Sequence, residues 1–473
     1  MKILLIHPHW MESYGRFKDA AKQAVFYPPL GLMYIGTLLE QKGNEVKLID
    51  AEAEGKTIDE IINEVNTFNP DLIGITSTTP IYHKAKELAK KIKEIKNIPI
   101  VLGGAHACVM LEKVLEDCKY FDYVVYGEGE HTTLELLEYL KGKKKIETIK
   151  GLIYRKNEKI IKNPTREFLK DLDSLPLPDR SLIKTENYLW SVPKKGIVKI
   201  ASIQASRGCP FNCIYCSQRN VFGKTIRFRK EKYVLAEIEN LVKNYDVHHI
   251  VFLDDNLTLN KELMKELSDD LIKKNLNITW EGSTRANLVD EEILTIMKKA
   301  GLVRLSFGIE SGNEDILKVI KKGVNLTEIK NAFRIAKKLG IETKGSVMIG
   351  LPTETKKEIM NTLHFIEKLD DCDQVYLNIT TPYPGTELYD MAVKGENGLK
   401  LLSNDFSTYK RYGDPVMEVN GLKKKDLINL QRKGFLMFYL KPKRIYYNLK
   451  RAGPKAAVKN VKAFIKSIFS KSN

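Results

Sequence analysis

The sequence predicts an α/β protein in two successive parts, a doubly wound Rossmann-like domain and then a full or partial β/α barrel, with a basic helical region behind them. Three observations carry that expectation. Short apolar runs alternate with helical patterns through the first 145 residues, the same rhythm resumes near residue 200, and a tight group of cysteines stands directly after the first strand of the second series.

The first series opens with a strand at Lys2–His7, then a helix over 30–41 and a strand over 45–49. Residues 72–75 lead into a helix over 83–93, residues 100–102 end in Gly103-Gly104, and residues 123–126 end in Gly127-Glu128-Gly129-Glu130. Units of this length specify a parallel sheet whose ligand crevice lies at the carboxyl ends of its strands. Residues 1–145 therefore form one domain, and its turn residues are candidate ligand contacts. Residues 146–198 read as a connector, with a hairpin over 152–161 and an ordered stretch over 171–179 that carries two prolines among acids. From 199 to 385 strands are expected near 200–204, 249–253, 279–283, 302–308, 344–349 and 374–379, and barrel chemistry sits at the carboxyl ends of such strands. Residues 386–450 read as helical and 451–473 as a basic amphipathic tail.

At 473 residues, 43% hydrophobic and 29% charged, the chain has the make-up of a folded protein of two or three domains rather than a disordered or collagenous one. No window approaches the roughly 20 apolar residues of a bilayer span, and nothing after Met1 has the pattern of a signal segment, so a cytoplasmic protein is expected. Six cysteines, three of them within 209–216, do not make a disulfide framework and suggest a metal site in a reducing compartment. The net charge of +17 is local: residues 421–473 hold 15 lysines and arginines against one acid, Asp426, which leaves +3 for the first 420 residues.

The strongest chemical signal is Cys209-Pro-Phe-Asn-Cys213-Ile-Tyr-Cys216. Three thiolates this close can converge on one metal centre. Structural zinc wants four closed ligands, and the fourth would have to come from a distance; three thiolates on a four-iron cluster leave one iron open to a substrate or cofactor. With Tyr215 before the last cysteine, the loop resembles the signature of radical S-adenosylmethionine enzymes. Later segments agree in order and spacing: Phe307-Gly-Ile-Glu310-Ser311-Gly312, then Gly345-Ser-Val-Met-Ile-Gly350-Leu-Pro-Thr-Glu354, then Pro382-Tyr-Pro-Gly-Thr386.

The resemblance implies a partial (β/α)6 barrel in which Cys209, Cys213 and Cys216 hold a [4Fe-4S] cluster. Its open iron binds S-adenosylmethionine, and reductive cleavage yields a 5'-deoxyadenosyl radical. It also implies that Phe211, Tyr215, Asp254, Arg285, Glu310, Ser311 and Gly350 contribute to the S-adenosylmethionine site. Other readings stand beside these: Asp254 and Asp255 as plain loop-opening acids, Arg285 in a structural ion pair, Glu310 as a helix-capping carboxylate.

The first domain resembles the cobalamin-binding domain of one branch of that family, through Tyr27-Pro-Pro-Leu-Gly31, Ser77-Thr78-Thr79-Pro80, Gly103-Gly104-Ala-His106 and Gly127-Glu128-Gly129-Glu130. Those glycines and hydroxyls, Glu128 included, are the expected corrinoid contacts. The chain departs from classical cobalamin proteins in lacking Asp-x-His-x-x-Gly, so no axial ligand is assigned among His7, His9, His83 and His106. Cys108, Cys118 and Cys372 are too scattered for a second cluster to be expected.

In the tail, Val458, Val461, Phe464, Ile465 and Ile468 recur at steps of three and four, with lysines opposite. This suits an anionic membrane surface, with docking on the protein's own core as the alternative; nucleic acid is not expected. The reading is thus a cobalamin-dependent radical enzyme, served by a ferredoxin- or flavodoxin-type electron donor, that methylates an unactivated carbon of a small or lipid-like substrate. Radical cyclisation or coupling is the enzymatic alternative, and an iron-sulfur or corrinoid carrier the non-enzymatic one.

Overall fold

The structure, a computed structural model, describes residues 1–18, 27–192 and 196–446. Five strands, β1 (Lys2–His7), β2 (Glu45–Asp50), β3 (Leu72–Thr76), β4 (Ile100–Gly103) and β5 (Tyr123–Val125), run parallel in the order β2-β1-β3-β4-β5. Helices cover both faces, which is why β1 reads as an unbroken apolar run. Ile3 and Leu5 point into one core and Leu4 and Ile6 into the other. The helix Tyr82–Ile95 buries Tyr82, Ala85, Leu88, Ala89 and Ile92, a stripe at steps of three and four that seats it on the second core. Strand order reverses between β1 and β3, and an open α/β sheet binds its ligand above such a switch point.

The hairpin expected over 152–161 forms there and joins the first sheet. Its strands β6 (Leu152–Lys156) and β7 (Lys159–Lys162) pair antiparallel with β5 and extend the first sheet to seven strands. An isolated two-stranded hairpin is marginal in water, whereas here Leu152, Ile153 and Tyr154 become buried beside β5. The stretch that follows is ordered: the Asp179 amide donates to Thr37 Oγ1 at 2.7 Å, and the buried Arg180 pairs with Glu237 at 2.6 Å and donates to the Ser202 carbonyl at 3.0 Å.

The second sheet is a curled half-barrel. Strand β8 (Leu189–Val192) pairs antiparallel with β9 (Gly196–Ile203), and a short pair, β10 (Ser206–Arg207) and β11 (Arg227–Phe228), brackets the cysteine loop. Parallel to β9 follow β12 (His249–Phe252), β13 (Thr279–Thr284), β14 (Leu302–Glu310), β15 (Glu342–Ile349) and β16 (Gln374–Ile379), in the order β9-β12-β13-β14-β15-β16. The edge strand β8 had no signal in the sequence.

Beyond the barrel, the expectation of an all-helical region is corrected. The helix Glu387–Lys394 stops at Gly395, which has φ +73°, and β17 (Leu399–Leu401) pairs with β18 (Met417–Val419) before the helix Lys424–Tyr439. Among the described residues no helix is long and apolar enough to cross a membrane. The amphipathic tail at 451–473 lies outside the described residues.

Candidate functional site

The carboxyl ends of the two sheets face each other across a cavity of about 540 Å³. His7 and Thr78, at the ends of β1 and β3, line one side; Tyr215 of the cysteine loop, Met348 of β15 and Asn378 of β16 line the other, with Arg411 between them. The switch point of the first sheet and the mouth of the barrel thus open onto one space.

The cysteine loop leaves β10 through Gly208, whose φ of +96° and close approach to the Thr225 carbonyl exclude a side chain. Cys209, Cys213 and Cys216 are free thiols, each partly exposed. Asn256 Nδ2 donates to Cys209 Sγ at 3.3 Å, and Arg285 Nη1 reaches Cys213 Sγ at 3.6 Å while its guanidinium lies 3.7 Å from the centre of the Phe211 ring. Arg285 also donates to the Lys322 carbonyl, which makes it part of the loop's frame, and among the described residues it forms no ion pair. Burial, reinforced by Asp255 and the neighbouring cysteines, pushes the Cys216 thiol up to about 11, so its deprotonation depends on the ion it receives. Among the described residues no three His, Cys, Asp or Glu side chains close around a single metal ion. Three thiols in one loop suit a polynuclear cluster that takes one thiolate on each of three irons and leaves a further iron open.

Asp254, expected at the S-adenosylmethionine site, is committed to the loop's base. Its carboxylate accepts from the Ala205 amide at 3.1 Å and from Ser206 Oγ at 2.5 Å, and burial pushes it up to about 6. Its neighbour Asp255, pushed up to about 7 by burial and by Asp254, is the one of the pair whose field reaches Cys209 and Cys216.

At the end of β14, Glu310 holds a left-handed φ of +62°, a conformation that costs energy for a side chain with a Cβ and clusters at functional positions. Lys322 Nζ donates to Glu310 Oε1 at 2.8 Å and reaches the Tyr215 hydroxyl at 3.3 Å, tying the acid to the cysteine loop. Ser311 is fully buried, and its Oγ lies 3.2 Å from Thr362 Oγ1. The Gly350 amide is also engaged, donating to Glu354 Oε2 at 2.7 Å beside the Leu351 amide at 2.9 Å.

Glu354 is fully buried, its Oε1 has no hydrogen-bond partner, and burial pushes its carboxyl up to about 8. The folded state therefore keeps a proton that the unfolded chain releases above about 4.5. Its contribution is complete at low pH and is lost as pH rises toward 8, a swing on the order of 4 kcal/mol. Glu354→Gln cannot ionise. Its melting temperature relative to wild type should climb between pH 5 and pH 8, and a difference that stays flat across that range would refute the assignment.

In the first domain, Thr78 lines the cavity, whereas Ser77 Oγ donates to the Thr78 carbonyl and Thr79 Oγ1 lies 3.1 Å from His106 Nδ1. A Cβ added to Gly31 or Gly127 would meet open space, the clearance a bulky ligand needs at a strand end. Gly103 accepts the Ser77 amide through its carbonyl at 3.0 Å, Gly104 at φ +91° packs against Thr76 and Ser77, and Gly129 packs against Ile35 and Val125. Thus Gly31, Thr78 and Gly127 fit a corrinoid floor, and the other glycines and hydroxyls shape it.

The Glu128 side chain is engaged away from that floor. Buried under the barrel, it accepts from Arg207 Nη1 at 3.1 Å, from Arg227 Nη1 at 2.8 Å and from the Leu169 amide at 2.7 Å, while Glu130 takes Arg207 Nη2 at 2.7 Å. Two arginines that bracket the cysteine loop are locked to the first domain. A carboxylate so surrounded has no oxygen left for a ligand.

Sequence reading missed Lys322 and Arg411. Lys322 sits in an ordinary Lys-Lys-Gly turn; Arg411 stands within Tyr409-Lys-Arg-Tyr412, where the aromatic neighbours were the available signal.

Comparison with known proteins follows the same division. A model of the radical SAM superfamily matches residues 203–366, and a model of the B12 binding domain matches residues 19–137. The chain is 36% identical to an uncharacterized methyltransferase of Pyrococcus horikoshii, across 94% of this chain and 93% of that one. It is 28% identical to the anaerobic magnesium-protoporphyrin IX monomethyl ester cyclase of Rubrivivax gelatinosus, across 100% of this chain and 83% of the other. Its fold is that of the radical S-adenosylmethionine methyltransferase TsrM from Kitasatospora setae, solved with cobalamin and a [4Fe-4S] cluster: TM-score 0.76 at 17% identity, covering 98% and 99% of the two chains.

Proposed function

Because the chain belongs to the cobalamin-dependent radical S-adenosylmethionine enzymes, we propose that it methylates an unactivated carbon of a small, largely apolar substrate held between its two sheets. The observation that carries this reading is the shared cavity, with the thiol loop on one wall, the strand ends of the first domain on the other, and Tyr14, Tyr27 and Tyr383 among its lining. When bound, the cluster and S-adenosylmethionine supply the radical chemistry and cobalamin carries the methyl group.

The chain's own residues bind, orient and shield. Cys209, Cys213 and Cys216 would hold the cluster, and Asn256 and Arg285, donating toward two of the sulfurs, would stabilise the thiolates and fix their direction. Glu310, steadied by Lys322, presents a carboxylate for ribose hydroxyls at the end of β14. Thr78, Gly31 and Gly127 would support the corrinoid face. The aromatic lining keeps water from competing for a reactive carbon centre. A low-potential ferredoxin or flavodoxin would deliver the electron.

Kinship with a named methyltransferase supports methyl transfer; kinship with a named cyclase favours, as a second reading, ring formation without it. Anaerobic turnover separates them. Protein reconstituted with iron and hydroxocobalamin, then reduced with S-adenosylmethionine and a cell extract as substrate source, should yield both 5'-deoxyadenosine and S-adenosylhomocysteine. Deoxyadenosine without S-adenosylhomocysteine would move the assignment to cyclisation or coupling.

A further inference from the structure

We propose that Arg411 is the recognition point for a carboxylate on the substrate, so that the molecule acted on is an organic acid with an apolar or aromatic body. The proposal rests on the reading of the cavity as the substrate chamber and adds to it the chemical class of the occupant.

Arg411 is set firmly in place. It precedes β18, and its backbone amide donates to the Ser13 carbonyl at 2.7 Å, which pins the segment against the first domain. The guanidinium lies 4.8 Å from the ring centre of Tyr376, 5.5 Å from that of Tyr412 and 5.8 Å from that of Tyr14, and its Nε donates to Asn378 Oδ1 at 3.2 Å. All of these neighbours are neutral. Among the described residues no Asp or Glu forms an ion pair with it, and the groups packed against it are Asn378 and the uncharged tyrosines.

The neighbouring cations differ. Arg304 is held by Glu342 at 2.8 Å and by Glu281 at 2.5 Å, and Lys344 lies 3.9 Å from Glu281. Two cations meet two acids there, and the balance closes without Arg411. A half-buried guanidinium that has no counter-charge among the described residues gains from a ligand that supplies the anion. Asn378 occupies Nε and the Tyr412 side chain takes one further hydrogen bond, which leaves N–H donors on both terminal nitrogens, and a planar carboxylate meets such a fork with two parallel hydrogen bonds. The tyrosine rings around it suit the apolar body attached to that carboxylate.

The test uses the full chain loaded with cluster and hydroxocobalamin and a matched pair of probes, phenylbutyrate and phenylbutanamide, read by equilibrium dialysis. Wild type should bind the acid about tenfold or more tighter than the amide. In Arg411→Gln the preference should vanish, and in Arg411→Lys, which keeps the charge and loses the fork, it should be intermediate. Cluster absorbance and retained corrinoid report that each variant is folded. Equal binding of acid and amide by wild type, binding of neither, or a preference that survives in Arg411→Gln overturns the proposal. So does loss of hydroxocobalamin from Arg411→Gln, which would assign the residue to the corrinoid. Protein that forms both turnover products yet shows no preference for the acid refutes this proposal alone and leaves the methyltransferase reading in place.

Discussion

Cys213→Ala should lose both the iron-sulfur absorbance and 5'-deoxyadenosine formation, the latter to below detection. Cys213 is the middle of three thiols and the one that Arg285 faces at 3.6 Å, so its removal takes away one corner of the cluster. The side chain is small and partly exposed, and the loop is held from outside by Asp254 on Ala205 and Ser206 and by the stacking of Arg285 on Phe211. The cost to the metal-free fold should therefore stay within about 1 kcal/mol. Measuring the melting temperature of apoprotein beside anaerobic turnover separates chemistry from folding. A variant that still cleaves S-adenosylmethionine at the wild-type rate would sink the radical assignment.

Glu128→Ala is expected to have the largest effect on stability. Glu128 receives two buried arginines, and its loss leaves Arg207 with Glu130 as its one carboxylate partner beside Gln204, and leaves Arg227 with no carboxylate, only the carbonyl oxygens of Leu169 and Phe222 and the Phe168 ring. Removing one partner from a buried ionic network costs about 3–5 kcal/mol because the remaining charge stays desolvated. Both arginines flank the cysteine loop, so the same substitution should lower the iron bound after reconstitution. Calorimetry and iron content check the two effects together; an unchanged melting transition with full iron content would mean that the network is ornamental. Glu128→Gln, which keeps a hydrogen-bond acceptor and loses the charge, should fall between.

The parallel strands were legible because burial on both faces leaves an unmistakable apolar run, as in Ile3-Leu4-Leu5-Ile6, and because glycine marks the strand ends. The three thiols were legible because their spacing is local. What escaped the sequence was nonlocal. Hairpin residues 152–162 look the same whether they project as a connector or pair with β5, since only the partner edge decides it. Glu128 stood in a glycine-rich turn that suggested a ligand contact, yet its partners Arg207 and Arg227 lie 79 and 99 residues away. Asp254 and Ser311 have suitable chemistry at suitable strand ends, and no periodicity encodes their hydrogen bonds to Ser206 and Thr362. Lys322 and Arg411 lacked a motif altogether, because a side chain 12 or 33 residues from its partner leaves no pattern of its own.

The arginine clamp beneath the cysteine loop has a mechanical consequence. In a carrier that shuttles its cargo, the two cofactor-bearing bodies must separate and rejoin. Here Glu128 and Glu130 rivet the first domain to the strands on either side of the thiols, and the buried Arg180 secures the intervening chain to the barrel a second time. Buried ionic contacts, rather than a linker alone, thus hold the spacing between the two walls of the cavity, as a vice holds its jaws. In the methyltransferase reading, selection then rests on what fits between walls held at that spacing and on Arg411 within them, rather than on any swing of one body against the other.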